Sequence, residues 1–425
     1  MAKSGYGGIV RALSERNYRL FTIGSALALV GMWTQRIAIG WLTWELTKSP
    51  AWLGLIAFAD LFPTVIFSPI AGALADRVDR QTIMKVTQTL AMVQSIALTA
   101  LFYLGWAEPW SLFGLTLFLG IVMSFNTAAR LAMVAGMVSR ENIGSAVALN
   151  AGLFNLARFL GPAVGGFIIV HWGAGGAFAF NSLSFLSMLV GLYMMRDLYP
   201  DPLAGKKTGI LRQTYEGLSY AVRHPGIGPM LLALTAVGVG IKPFIDLLPG
   251  ISDLIYGMGA HGLSMLTSAA GLGALTTAVW LAQRGSVKKL SLFALISLPI
   301  GAVAVMLLAA TEFFIVGLAC AFMCGACMTV NGTSTQTLMQ NAVESGMRGR
   351  VMSLYGVIFR GTPALGALMM GSASEAVGLP AVFVAGGALS LAAAIWLWGR
   401  RAVVAESLEM DPTASRDAKG RPDPA

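Results

Sequence analysis

Hydrophobic and polar residues do not alternate along this chain. Apolar residues gather in long runs, each closed by a polar stretch. The runs fall at 20–44, 51–75, 82–105, 111–130, 145–170, 176–195, 229–250, 262–282, 290–310, 312–338, 350–377 and 380–399. A helix needs roughly 20 apolar residues to cross the hydrocarbon core of a bilayer. The pattern therefore predicts an all-α membrane protein with twelve transmembrane helices. The first run is longer than a signal-peptide core and carries Gln35 and Arg36, so it reads as a retained membrane helix.

Most connections are short. The exception is 196–228, which holds Pro200-Asp201-Pro202, Gly205-Lys206-Lys207 and an amphipathic segment from Ile210 to Arg223. It reads as a cytoplasmic linker with one helix lying on the membrane surface. The expected organisation is a six-helix half over 1–195, the linker over 196–228, a second six-helix half over 229–400 and a disordered tail over 401–425. The halves echo one another. Arg158-Phe159-Leu160-Gly161-Pro162 lies in the fifth run and Arg360-Gly361-Thr362-Pro363 in the eleventh. Six plus six helices in parallel repeats is an arrangement of secondary transporters.

Composition agrees: 56% of the 425 residues are hydrophobic and 12% charged. The net charge of +9 does not point to nucleic acid, because the basic residues sit in loops on one side. With both termini on that side, it receives 24 of the 29 lysines and arginines; the opposite side receives Lys48, and Arg36, Arg158, Lys242 and Arg360 lie inside runs. The positive-inside rule then makes both termini cytoplasmic. Trp44, Trp52, Trp106, Trp110 and Trp172 fall at the outer ends of runs, as an interfacial belt requires. Short loops suit a bacterial inner membrane. Cys320, Cys324 and Cys327 share one apolar helix face without supporting histidines, so they read as packing residues and not as a metal site.

The most specific local signal is Gly72-Ala73-Leu74-Ala75-Asp76-Arg77-Val78-Asp79-Arg80, a compact charged turn between the second and third runs. Glycine permits close helix approach, Asp76 can accept from helix N-terminal amides, and Arg77 and Arg80 can meet lipid headgroups or acids. A second signal is Gly161-Pro162-Ala163-Val164-Gly165-Gly166, where proline removes a donor and glycines remove bulk.

These two stretches resemble the loop 2–3 signature and the antiporter motif of the major facilitator superfamily. Asp79 stands where the first pattern usually has a second glycine, and Ala157 where the second has an upstream glycine. The resemblance covers nearly the whole chain. It includes Trp33-Thr34-Gln35, Gly40-Trp41-Leu42, Glu45-Leu46-Thr47, Asn150, Arg158, Leu247-Leu248-Pro249 and Arg348-Gly349-Arg350. It is similar to the branch of the enterobactin exporter, described as transmembrane secretion effectors. That resemblance implies proton-linked efflux of siderophores, drugs or other amphiphiles. It also implies a cavity lined by spans one, four, seven and ten, and a latch in which Asp76 is held by Arg130 or by the start of span eleven at Arg348 and Arg350.

Charges inside the runs carry the most chemistry. A mid-bilayer charge costs about 3 kcal/mol even on a gentle insertion scale, so such residues face a bundle interior or water. Arg36 and Asp60 lie at matching depths, roughly 12 and 14 Å from the outer ends of their spans at 1.5 Å per residue, so they are expected to pair. Lys242 and Asp246 are four apart, on one helical face. Two readings stand: these charges pin helices together, or Asp60 or Asp246 takes up a proton when the cavity changes access. Gln35, Arg36, Asn126, Arg158, Lys242, Asn331 and Arg360 are the candidate cavity residues. The polar ones among them could equally be helix-to-helix hydrogen bonds.

No Walker sequence, H-E-x-x-H or G-x-S-x-G occurs. The reading is a secondary transporter and not an enzyme, monomeric, with no cofactor or metal. Its partners are the lipid bilayer, protons and a small organic, siderophore-like or drug-like and possibly anionic solute, exported by alternating access. The rival readings are an importer or proton symporter of an organic anion, and a lipid-moving protein.

Overall fold

A computed structural model of the chain describes residues 6–75, 77–196, 210–343 and 346–409. Its regular structure is helical. After a short α1 (Tyr6–Ser14), span one is α2 (Arg16–Thr47), span two α3 (Pro50–Ala75), span three α4 (Arg80–Tyr103) and span four α5 (Pro109–Ala135). Spans five and six form one element, α6 (Ile143–Met194), divided at Gly173, whose φ of 71° reverses the chain. An α7 (Ile210–Arg223) precedes span seven, which is α8 (Ile227–Gly240) plus α9 (Phe244–Leu254). Spans eight to twelve are α10 (Gly259–Arg284), α11 (Leu290–Ala310), α12 (Phe314–Ala342), α13 (Arg348–Val377) and α14 (Leu379–Trp398). A last helix, α15, covers Arg401–Glu409.

Ten of these segments are long and apolar enough to span a membrane, with α6 counted once and the more polar α2 not counted. Dividing α6 at Gly173 and adding the 32-residue α2 gives twelve spans. An even number puts both ends of the bundle on one face.

Two departures from the sequence reading have physical causes. Span seven is not continuous. Val237 O accepts from both Ile241 N (3.0 Å) and Lys242 N (2.8 Å), and Pro243, which has no N–H to give, follows. The tail is ordered from its start at 401 as far as 409. Val404 and Leu408 are fully buried, and the Glu409 carboxylate accepts from Lys289 N (2.7 Å) and Ser291 N (3.0 Å) at the start of α11. A carboxylate on otherwise unpaired N-terminal amides is favourable.

The halves meet chiefly through α3 with α13 and α6 with α10. Their burial is asymmetric across the membrane. Away from the termini, one hydrophobic cluster unites Trp41, Trp44 and Leu53 of the first half with Phe244, Leu248 and Leu379 of the second. Toward the termini the buried clusters separate. Tyr18, Phe21, Ile83 and Met133 belong to the first half alone, and Ile227, Leu290, Met339 and Val351 to the second. A Cβ at Gly72 would meet nothing within 4 Å, whereas one at Gly371 would lie 2.5 Å from Pro50 O. The bundle is thus closed on the face away from the termini and parted on the face that carries them.

Candidate functional site

The two halves are joined mid-bundle by a charge cluster. Span one cannot hide Arg36 from its own half, because Asp60 of α3 stands beside it. Arg36 Nη1 lies 3.1 Å from Asp60 Oδ2, and Nη2 lies 2.9 Å from Asp246 Oδ1 of α9. One planar guanidinium therefore serves two carboxylates in different halves, which suits its fork of donors. The Arg36 side chain is 32% exposed and that of Asp246 13%, so the cluster borders open space.

The broken helix in span seven sets the rest of the geometry. Lys242 leaves from the turn between α8 and α9, so it does not share a helical face with Asp246. Its Nζ donates to Phe359 O (3.0 Å) and sits 3.4 Å from the Phe359 ring centroid. The expected Lys242–Asp246 pair is replaced by Arg36–Asp246 across the halves, beside the expected Arg36–Asp60 pair. Arg158 and Arg36 share the indole of Trp33, at 5.8 and 5.5 Å from its ring. Cation–π contact of this kind contributes about 0.5–2 kcal/mol, but it supplies no carboxylate. Lys242 stands within electrostatic range of Arg36, Arg158, Arg360 and Asp246. Arg360 in turn stands within range of Asp60 and Arg36. Six ionisable residues from both halves therefore form one neighbourhood.

Three polar candidates lie elsewhere. Gln35 is 1% exposed and accepts from Ser95 Oγ (2.7 Å) and Asn181 Nδ2 (2.8 Å), while its amide donates to Gln94 Oε1 (3.0 Å). It binds spans one, three and six together. Asn126 donates to Thr87 Oγ1 (2.9 Å) between α5 and α4. Asn331 is fully buried and reaches Ala294 O of α11 at 3.5 Å. None of the three is hydrogen-bonded to a residue of the charge cluster among the described residues.

The Gly161–Gly166 segment packs in two directions. Gly161 and Gly165 bring α6 against Trp33 and Thr34 of α2, and Thr34 Oγ1 donates to Gly161 O (3.0 Å). Gly166 meets Ser264 of the other half, whose hydroxyl donates to Pro162 O (2.9 Å).

In the loop between α3 and α4, Asp76 lies outside the described residues. Arg77 is exposed and Arg80 half-buried. The cap on α4 is Asp79, the residue standing where the motif has glycine. Its Oδ2 accepts from Thr82 N and Thr82 Oγ1, both at 2.7 Å. Partial burial works against the charge, but these bonds and Lys85 hold the Asp79 carboxyl below its ordinary range. Arg130 donates to Asn150 Oδ1 (2.9 Å) within its own half and lies over the Phe21 ring. Arg348 is exposed at the start of α13, and Arg350 Nη1 reaches Met347 S at 3.2 Å.

The closed face has a clasp that sequence reading missed. Asp253 accepts from Trp44 Nε1 and from Lys48 Nζ, both at 2.8 Å. Glu375 of α13 accepts from Ser49 Oγ and, at 3.3 Å, from Ala51 N at the start of α3. One signal was available. Asp253 follows Asp246 by seven residues, about two helical turns, so the two carboxylates share one helix face.

The transmembrane secretion effector family model matches residues 9–420. The chain is 23% identical over 372 residues to the staphyloferrin A transporter of Staphylococcus aureus, covering 86% of this chain and 91% of that protein. It is 24% identical over 388 residues to macrolide efflux protein A of Streptococcus pyogenes, covering 89% and 94%. Among solved structures, it is similar to an inward-facing, unoccupied bacterial homologue of the human lysosomal transporter Spinster. The TM-score is 0.65 at 14% identity, over 97% of this chain and 99% of that one.

Proposed function

Since the chain belongs to the transmembrane secretion effector family of major facilitator transporters, we propose that it exports a small organic anion in exchange for protons. It is a multi-pass membrane transporter and not an enzyme. Relatives named for a siderophore and for macrolide efflux support a siderophore-like or drug-like cargo. The concentration of lysines and arginines on the terminus-bearing side supports cytoplasmic termini in a bacterial inner membrane, with the parted face inward.

The observation that carries the reading is the sharing of Arg36 between Asp60 and Asp246. With both acids ionised, the Arg36–Asp246 bond ties the halves and holds the outer face shut. A proton on Asp246 removes its charge and frees it from Arg36. An anionic solute competing for Arg36 does the same. Either one releases the tie, and exchange follows when the solute uses that release on the outward step and the proton occupies Asp246 on the return step. Asp60 belongs to the same half as Arg36 and stays beside it, so Asp246 is the acid whose surroundings change. On the return to the inward form, Arg36 again meets Asp246 and the proton leaves to the cytoplasm.

Everted vesicles with an acidified interior test this. Uptake of a catecholate siderophore, a polycarboxylate siderophore and a macrolide would be followed by mass spectrometry. At least one of the two anionic siderophores should accumulate, and a protonophore should abolish the accumulation; accumulation of the basic macrolide alone would contradict an anionic cargo. Gradient-driven uptake in right-side-out vesicles alone would make the chain an importer and overturn the reading.

A further inference from the structure

The charge cluster does not close on itself. Four cations, Arg36, Arg158, Lys242 and Arg360, face two carboxylates, Asp60 and Asp246, leaving two positive charges. The carboxylates are both engaged by Arg36. Lys242 has a carbonyl and an aromatic face from Phe359. What remains is Arg158, over the shared face of Trp33 and within electrostatic range of Asp246, and Arg360, within electrostatic range of Asp60. Neither guanidinium has a hydrogen-bond acceptor among the described residues, and both are half-buried.

Each occupies a similar but not identical place in its half. Arg158 lies four residues before Pro162 in span five, and Arg360 three before Pro363 in span eleven. Both stand within electrostatic range of Lys242. Unpaired guanidiniums in a low-dielectric setting are costly, and a guanidinium's planar fork matches a carboxylate two bonds at a time.

We propose that Arg158 and Arg360 together form a binding site for a dianion, one acidic group on each guanidinium, so that the solute bridges the two halves. This deepens the reading of the chain as an organic-anion transporter and rests on it. It replaces a generally positive cavity with a specific demand: two acidic groups on one molecule, at a spacing the two arginines set. A monoanion satisfies one guanidinium and leaves the other unpaired.

Equilibrium binding to the purified full chain in nanodiscs tests this at constant ionic strength. The probes are straight-chain dicarboxylates from succinate to sebacate, each against the monocarboxylate of equal length. One dicarboxylate length should bind at least tenfold more tightly than its monocarboxylate. Arg158→Gln and Arg360→Gln should each abolish that excess, and Arg158→Lys should keep part of it. Equal binding of mono- and dicarboxylates at every length overturns the site, as does an excess that persists in both glutamine variants. Should those variants fail to fold, the length series on the unaltered chain decides. Binding needs neither a proton gradient nor a direction. A negative result here leaves proton-driven export standing, and a failure of gradient-driven uptake leaves the dianion site standing.

Discussion

Arg36 Nη2 and Asp246 Oδ1, 2.9 Å apart, belong to different halves of the bundle, and their ion pair is the one charged bond that crosses between them at the level of the central cluster among the described residues. Removing one partner of a fully buried pair costs about 3–5 kcal/mol. Arg36 retains Asp60, so Asp246→Asn should cost less, about 1–3 kcal/mol. Its effect on exchange should be larger. Gradient-driven transport should fall at least tenfold in Asp246→Asn, with a smaller loss in Asp60→Asn, measured in the same vesicles. Equal losses in the two variants would remove the distinction drawn between the acids.

The clasp on the closed face should set how long that face stays shut. Asp253→Ala leaves Trp44 Nε1 and Lys48 Nζ without their acceptor. The lysine is 58% exposed, so its share is small, about 0.2–1 kcal/mol for an exposed pair. The buried indole bond adds about 1 kcal/mol. Alkylation of a cysteine placed at Trp41 should therefore become several-fold faster in Asp253→Ala. Background from Cys320, Cys324 and Cys327 stays low because all three are buried.

Gly371→Ala should oppose the same closure by steric means. The new Cβ would lie 2.5 Å from Pro50 O and 3.1 Å from Gly54 Cα, both backbone atoms of the other half. Overpacking of this kind costs about 1–3 kcal/mol, and it acts only while α3 and α13 are pressed together. The variant should fold, migrate as the parent does on gel filtration and show faster labelling at the closed face.

The start of span seven should be acid-sensitive. His224 Nδ1 accepts from Gly226 N (3.2 Å) and Ile227 N (3.3 Å), filling orphan donors of α8. Burial holds its pKa below the ordinary value. The unfolded chain therefore takes up this proton first as pH falls. Its contribution to stability is complete above about pH 6.5, the ordinary histidine value, and declines in more acid solution. Thermal unfolding in detergent should show that decline in the parent and a flatter profile in His224→Asn between about pH 5 and 7.

The sequence carried the spans, because a bilayer demands a simple run of apolar residues, and it carried Arg36–Asp60, because depth along two helices can be counted. It misplaced Lys242 and Asp246, since a helical face was assumed across a stretch that Pro243 interrupts. Gln35, Asn126 and Asn331 were indistinguishable from cavity residues, because hydrophobic periodicity does not say which side of a membrane helix faces neighbours and which faces water. The cross-half bonds to Asp246, Asp253 and Glu375 depend on how the halves dock, which no local pattern encodes. The ordered start of the tail was hidden for the same reason: Val404 and Leu408 are buried because α11, α12 and α8 are there to receive them.

The most direct test is a distance across the closed face. Spin labels at Leu46 of α2 and Leu254 of α9, both exposed, report the separation of the halves there by double electron–electron resonance. In nanodiscs at neutral pH the distribution should be short and narrow. Acidification should add a longer component, and Asp246→Asn should show that component at neutral pH with no further response to acid. A distribution that stays the same at both pH values and in both proteins would contradict a proton-released tie between Arg36 and Asp246.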